Sequence, residues 1–335
     1  MKESHLLKAF NGQNTQVPVW FMRQAGRFLP EYREIRKKHT LDEMFLDPAT
    51  VAQVTCLPVN LLKVDAAILF ADILTLPMHL GFKITFDPQH GPVIKNPFHC
   101  AQDLEQLHAM DDVRHLRQAI PLINQNLPAH IPLIGFAGAP FTVLCYLVEG
   151  GSSSNFRKVF KLIHQDSALF HQLMTFLTEN TIAYLNLQKE AGIKVFQLFD
   201  SWGGILSAQD YQACILPYVQ KIFAAVDLPS IYYLKNSYHL LSQMQNCGSN
   251  FISVCETVDL TDTSLLTNIQ QGIQGNLFQG LLYAPDDIIK KEVVRILNGT
   301  RRFNKYIFNL SHGIQPDVPV EKVKFIIDLV HSFQR

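Results

Sequence analysis

Short apolar runs rich in β-branched and aromatic residues recur along the whole chain. Each is followed by a polar or glycine-containing loop and then by a segment of helical period. They read PVWF (18–21), AAILF (66–70), PLIGFAG (132–138), KVFQLFD (194–200), SIYYL (230–234), FISVC (251–255), IQGNL (273–277) and YIFNLS (306–311). Eight strand–helix units in 335 residues predict an α/β fold, a single (β/α)8 TIM barrel spanning 1–335 as one domain. A doubly wound open sheet would be expected to carry a glycine-rich dinucleotide loop after its first strand. Neither G-x-G-x-x-G nor G-x-x-x-x-G-K-[ST] occurs, and no linker or internal repeat divides the chain.

The intervening segments fit that plan. Leu169, Leu173, Leu177, Tyr184 and Leu187 recur at three-, four- or seven-residue spacings, and Ala191-Gly192 reads as the end of that helix. The stretch 47–63 opens on Asp47-Pro48, a helix-start pair, and Pro58 is expected to kink it. One segment breaks the alternation. KITFDPQHGPVI (83–94) alternates around a Pro-Gly-containing turn and predicts a β-hairpin inserted after strand two.

Charge excludes whole classes of partner. Lys+Arg and Asp+Glu are 29 each, so no global field draws the chain to nucleic acid or an acidic membrane, and an anionic ligand must meet a local cluster. The opening MKESHLLKAFNGQN lacks a signal peptide's apolar core, and no run approaches a membrane span, which predicts a soluble, cytoplasmic protein. The six cysteines show no C-x-x-C pair and no metal-like spacing with histidine, so reduced and mostly buried thiols are expected.

Active sites of such barrels lie at the carboxyl ends of the strands, so the polar residues just after each run are the candidates. They are Arg23 and Arg27, Asp72, Tyr146, Asp200 and Ser201, Lys235 and Asn236, Cys255 and Glu256, and His312. Each also has a plainer reading. Arg23 and Arg27 suit a solvated helix start paired with Glu31 or Glu34, but arginines at the positive end of a helix dipole also suit an anion shared between them. Asp72, set among apolar residues, is either a helix cap or a buried carboxylate beside a donor. His312 reads equally as a satisfied core histidine. His108/His115 and His164/His171 lack carboxylate or cysteine partners and read as structural.

Taken in order, PVWFMRQAGRFLPEYREIR, LFADILTLP, GPVIKNP, GFAGAPFTVLCYLVEGGSS, LFDSWGG, QGNL and NLSHGIQPDVP resemble the uroporphyrinogen decarboxylase family over essentially the whole chain. The resemblance implies a (β/α)8 barrel, a homodimer, no metal or organic cofactor, and removal of carbon dioxide from the four acetates of uroporphyrinogen to give coproporphyrinogen. It also implies that Arg23, Gln24, Ala25, Gly26, Arg27, Asp72, Tyr146, Ser201 and His312 bind substrate. Asp72 and Arg23 become catalytic, with His312 and Tyr146 as other candidate proton donors. Arginine suits a substrate with many carboxylates because its planar fork binds them bidentately and keeps its charge. Protonation of a pyrrole carbon beside nitrogen makes an iminium-like electron sink, and a central carboxylate stabilises that cation.

Two places depart from the family pattern. Cys255-Glu256 stands where Asp-Trp is usual, and Phe278-Gln279 follows QGNL in place of Asp-Pro; YYLKNSYHL (232–240) is also unusual. These departures leave open an impaired paralogue that binds a tetrapyrrole without processing it. A second alternative, a zinc- and cobalamin- or thiol-dependent methyltransferase on the same barrel, calls for a His-x-Cys motif, which does not occur.

Overall fold

The structure, a computed structural model, describes residues 3–13, 15–87, 91–266 and 269–334, apart from the side chains of residues 263 and 265. Seven of the eight apolar runs form one curled parallel sheet. In sequence order its strands are β1 (Ala67–Ile68), β4 (Leu133–Gly138), β5 (Val195–Asp200), β6 (Ser230–Leu234), β7 (Phe251–Ser253), β8 (Gly272–Gln274) and β9 (Tyr306–Ile307), and they neighbour one another in that same order. Registers such as Ile134 with Val195 and Phe196 with Ser230 keep the apolar runs side by side.

The first run, 18–21, pairs differently. Val19 makes a single parallel bridge to Phe308, Phe308 N–H donates to Pro18 O (2.9 Å), and on the other side Asp65 N–H donates to Val19 O (2.8 Å). The ladder stays short because Pro18 has no N–H and Val19 gives its own to the Asp65 carboxylate (2.8 Å). That carboxylate also accepts from His331 Nε2 (2.9 Å) on the carboxyl-terminal helix Val320–Ser332, which ties the chain's two ends together. Segment 18–21 thus bonds at both free edges of the sheet, and Trp20 points inside it. Its indole N–H donates to Gln274 (3.0 Å), and Gln274 donates to Gln197 (2.9 Å) and Ser253 (3.1 Å).

Strands β1 and β4 part after two paired residues, and helix side chains take the freed backbone groups. Thr55, on the helix Pro48–Leu62, accepts from Phe70 N–H (3.0 Å). Gln188, on the helix Ser167–Ala191, accepts from Phe136 N–H (3.0 Å) and donates to Phe136 O (2.9 Å). Buried backbone polar groups need partners, so these two residues let the sheet open where the chain turns toward Asp72. The helix Ser167–Ala191 starts on its Asp166 cap and ends at Gly192, the end that Ala191-Gly192 predicts.

Ile84–Asp87 (β2) and Gly91–Ile94 (β3) form a separate antiparallel pair with Asp87 opposite Gly91. The turn of the expected hairpin, 88–90, lies outside the described residues. Among the described residues, no helix is long and apolar enough to cross a membrane.

Candidate active site

A cleft of about 540 Å³ opens at the carboxyl ends of the strands. Arg23, Ala25, Gly26, Arg27, Asp72, Tyr146, Ser201 and His312 all line it, drawn from positions 23 to 312 of the chain. Gln24 does not. Its fully buried amide accepts from Phe21 N–H (3.0 Å) and donates to Ala66 O (2.9 Å), lacing the arginine loop to the residue before β1.

That lacing sets the arginines. Arg23 holds a left-handed backbone, φ +61°, unusual for a side chain larger than glycine. Its carbonyl folds back so closely on Gly26 that a Cβ there would stand 2.8 Å from Arg23 O. Glycine is needed at 26 for that contact. Gly313 serves the side chain instead: a Cβ on it would lie 2.6 Å from Arg23 Cγ and 3.0 Å from Nε, so the bare glycine face is the bed of the guanidinium stem. Among the described residues neither Arg23 nor Arg27 makes an ion pair, and Glu34 bonds Lys37 (2.7 Å) instead. The solvated-pair alternative therefore fails.

Asp72 sits three residues before the short helix Thr75–Met78. Its carboxylate accepts from Leu74 N–H (2.9 Å) while Thr75 N–H donates to its carbonyl (3.0 Å). Burial raises its pKa, opposed by that N–H and by the charge of Arg23. The same guanidinium acts on Tyr146, Tyr233 and His312, so Arg23 lies amid all four groups. His312 is held neutral, its pKa lowered to about 4 by burial and then by Arg23 and Lys235. Gly313 N–H donates to its Nδ1 (2.6 Å), which leaves the ring proton on Nε2. Burial likewise raises the Tyr146 phenol, as does the nearby Asp72.

Ser201 is carried by a loop anchored on Asp200. That fully buried carboxylate accepts from Thr142 Oγ1 (2.6 Å), Tyr232 OH (2.8 Å) and Gly203 N–H (3.0 Å), and Tyr211 OH donates on to Tyr232 (2.9 Å). Asp200 is thus a support for Ser201 and Trp202 and does not face the cleft. Trp202 packs tilted against Tyr146 with ring centroids 6.0 Å apart.

The cleft also holds residues that the motifs did not announce. Arg36, on the helix Pro30–Lys38, adds a third arginine, and Tyr233 lines the wall with its phenol donating to Ser311 O (3.2 Å). Alternation along SIYYL was a usable signal for Tyr233, since its neighbour Tyr232 faces the helices. Arg36 and Gly313 had no local signal. Aromatic pairs flank the cations, with Phe45 against Phe70 at 5.0 Å and Phe136 against Phe199 at 5.4 Å. Three arginines, one central carboxylate and apolar rings suit a flat, multiply anionic ligand.

The departures from the family pattern are accommodated locally. Cys255 is buried against Thr257 Oγ1 (3.0 Å) and Ser237 Oγ (3.5 Å), with Asn276 donating to its carbonyl (2.8 Å). Gln279 accepts from Ser311 Oγ (2.9 Å) and so braces the residue before His312, whereas Phe278 is exposed.

Comparison with known proteins agrees with this geometry. Residues 1–333 match the model of the family described as uroporphyrinogen decarboxylase (URO-D). The chain is 40% identical over 326 residues to a uroporphyrinogen decarboxylase of Trichlorobacter lovleyi, covering 96% of this chain and 95% of that one. It is 40% identical over 334 residues to one of Thermus thermophilus, covering 98% and 97%. Among solved structures, a methyltransferase from Methanosarcina mazei superposes with a TM-score of 0.81 at 22% identity, covering 98% of this chain and 97% of that one, a likeness of fold alone. A family match over nearly the whole chain, on a sheet that brings Arg23, Asp72, Tyr146, Ser201 and His312 to one cleft, leads to one conclusion: the chain belongs to the uroporphyrinogen decarboxylase family.

Proposed function

We propose that this chain decarboxylates the four acetate side chains of uroporphyrinogen to give coproporphyrinogen in porphyrin biosynthesis. The observation that carries it is the convergence of Arg23, Asp72, Tyr146, Ser201 and His312 on one cleft, with Arg27 and Arg36 beside them. The bonds of Val19 support the proposal that segment 18–21 completes a closed eight-stranded barrel as one domain, and the pairing of β2 with β3 supports a hairpin inserted after strand two.

Each acetate is lost in three moves. A pyrrole carbon beside nitrogen takes a proton and the ring becomes an iminium-like cation. The bond between the methylene and the carboxylate then breaks, carbon dioxide leaves, and the electron pair flows into the ring. The methylene takes a proton to become methyl and the ring gives up the one it gained, so one proton replaces one carbon dioxide. Asp72 stabilises the cation by accepting from the pyrrole N–H groups, a preorganised electrostatic contribution of about 3 kcal/mol. Arg23 holds the departing carboxylate and is the candidate donor. His312, neutral at neutral pH, presents an Nε2 proton for hydrogen bonding without adding charge beside the cation. Arg27 and Arg36 grip the peripheral carboxylates. Following the family resemblance, the chain works without metal or organic cofactor, as a homodimer in the cytoplasm.

Incubating the purified protein with uroporphyrinogen under anaerobic, reducing conditions tests the proposal. Sequential seven-, six-, five- and four-carboxylate products are expected. Binding without any product would overturn it in favour of a silent paralogue.

A further inference from the structure

The arginines of the cleft all come from one side. Segment 18–21, which leads into Arg23, bonds at both free edges of the seven-stranded sheet, so β6, with three strands on either side of it, is the strand farthest from that loop in the order of the sheet. A macrocycle with carboxylates around its whole rim needs a cation there as well.

Side chains alternate along a strand, so residues two apart share a face. Tyr232 faces outward, bonded to Asp200 and Tyr211, whereas Tyr233 lines the cleft. Lys235, two residues beyond Tyr233, lies in the turn just past the end of β6, outside the residues that line the cleft but beside Trp202, whose ring centre is 6.0 Å from that of the cleft residue Tyr146. Its Nζ stands 5.6 Å from the centre of the Trp202 ring, and among the described residues it makes no ion pair. Its charge also acts on His312. Gly204 packs against Lys235 from the Asp200 loop: a Cβ on Gly204 would meet Asn236 O at 3.0 Å and Lys235 O more closely still, so the two loops are fixed relative to each other. The ammonium is thus a placed cation, parked on an indole face and lacking an anion.

We propose that Lys235 is a substrate-holding residue that takes a peripheral carboxylate of the tetrapyrrole on the wall away from Arg23, Arg27 and Arg36. The assignment rests on the decarboxylase function proposed above. A peripheral carboxylate belongs either to an acetate, which the reaction removes, or to a propionate, which persists to the product.

Steady-state kinetics of Lys235→Met and Lys235→Arg on the eight-carboxylate and five-carboxylate porphyrinogens test it. Lys235→Met keeps the stem over Trp202 and removes the charge. Its KM for the eight-carboxylate substrate is expected to rise on the order of tenfold, the worth of one charged hydrogen bond, with kcat changed by less than about twofold. Lys235→Arg should restore most of the loss. An equal rise for both substrates identifies a propionate, and a rise confined to the eight-carboxylate substrate identifies an acetate. Unchanged KM in Lys235→Met, or a fall in kcat and thermal stability that arginine does not rescue, would show that the lysine only braces Trp202 and would overturn the inference while leaving decarboxylation intact. A wild type that forms no product would instead remove the function on which the inference rests.

Discussion

Gly313→Ala isolates the placement of Arg23 from its chemistry. The new methyl group would lie 2.6 Å from Arg23 Cγ and 3.0 Å from Nε, where ordinary carbon contacts begin at about 3.5 Å. The arginine stem must therefore shift by about 1 Å, carrying the guanidinium with it. Arg23 is exposed and Gly313 does not sit at a positive φ, so the fold absorbs the change cheaply. The melting temperature should move by only a few degrees, corresponding to less than about 1 kcal/mol. Catalysis should not be so forgiving. A misplacement of about 1 Å costs on the order of a hundredfold, so kcat/KM for uroporphyrinogen should fall by about 2.7 kcal/mol in activation free energy. Gly299→Ala is the control: its methyl would stand 2.9 Å from Thr261 Cγ2 at the end of the helix Asp286–Gly299, and it should cost stability without touching kcat/KM. Anaerobic product analysis by carboxylate number supplies the rates. If Gly313→Ala keeps kcat/KM within about threefold of wild type, guanidinium placement is not what this glycine secures.

Asp72→Asn should fold normally yet turn over on the order of a hundredfold more slowly, and near-normal turnover would remove the central carboxylate's role. His312 should make the protein less stable in acid. Its folded pKa of about 4 lies below its ordinary 6.5, so the unfolded chain takes up the proton first as pH falls, and stability declines from about pH 6.5 down to about 4. Urea unfolding at pH 7 and pH 4.5 should show His312→Gln losing about 2 kcal/mol less over that interval than wild type, a figure reduced because the ring keeps some solvent contact; an identical loss would contradict the burial argument. Asp65→Ala should cost about 1–3 kcal/mol in denaturant unfolding, because the Val19 N–H and His331 lose their shared acceptor, and an unchanged midpoint would mean that water replaces the carboxylate there.

Much of the scaffold was legible because it is local. Strand runs announce themselves by consecutive apolar and β-branched residues, and seven of the eight fall on sheet strands. The carboxyl end of the long helix was readable from Ala191-Gly192, since caps act within a few residues. The run 18–21 was legible as extended chain but not as a segment whose ladder is cut short, because Asp65, which captures Val19 N–H, lies 46 residues away. Asp200 looked from the sequence like a cleft residue of the same kind as Ser201. Only the fold shows that Thr142, Tyr232 and Gly203 have already claimed its oxygens.

By itself the sequence determined the residue chemistry: two arginines around Gln-Ala-Gly, an aspartate in an apolar run, and a histidine before glycine near the carboxyl end. Those types suit an anionic ligand, and the resemblance to the uroporphyrinogen decarboxylase family adds a reaction that passes through a cation. Tertiary structure decided what each group can do. It turned Gln24 inward as a brace, brought Arg36 and Tyr233 to the cleft, and used a glycine at 313 to seat an arginine at 23. It also set His312 neutral by burying it beside two cations. The physical reason is range. Strand and helix preferences arise from neighbours a few positions apart, whereas distances, desolvation and charge coupling depend on residues hundreds of positions apart that meet only when the sheet curls.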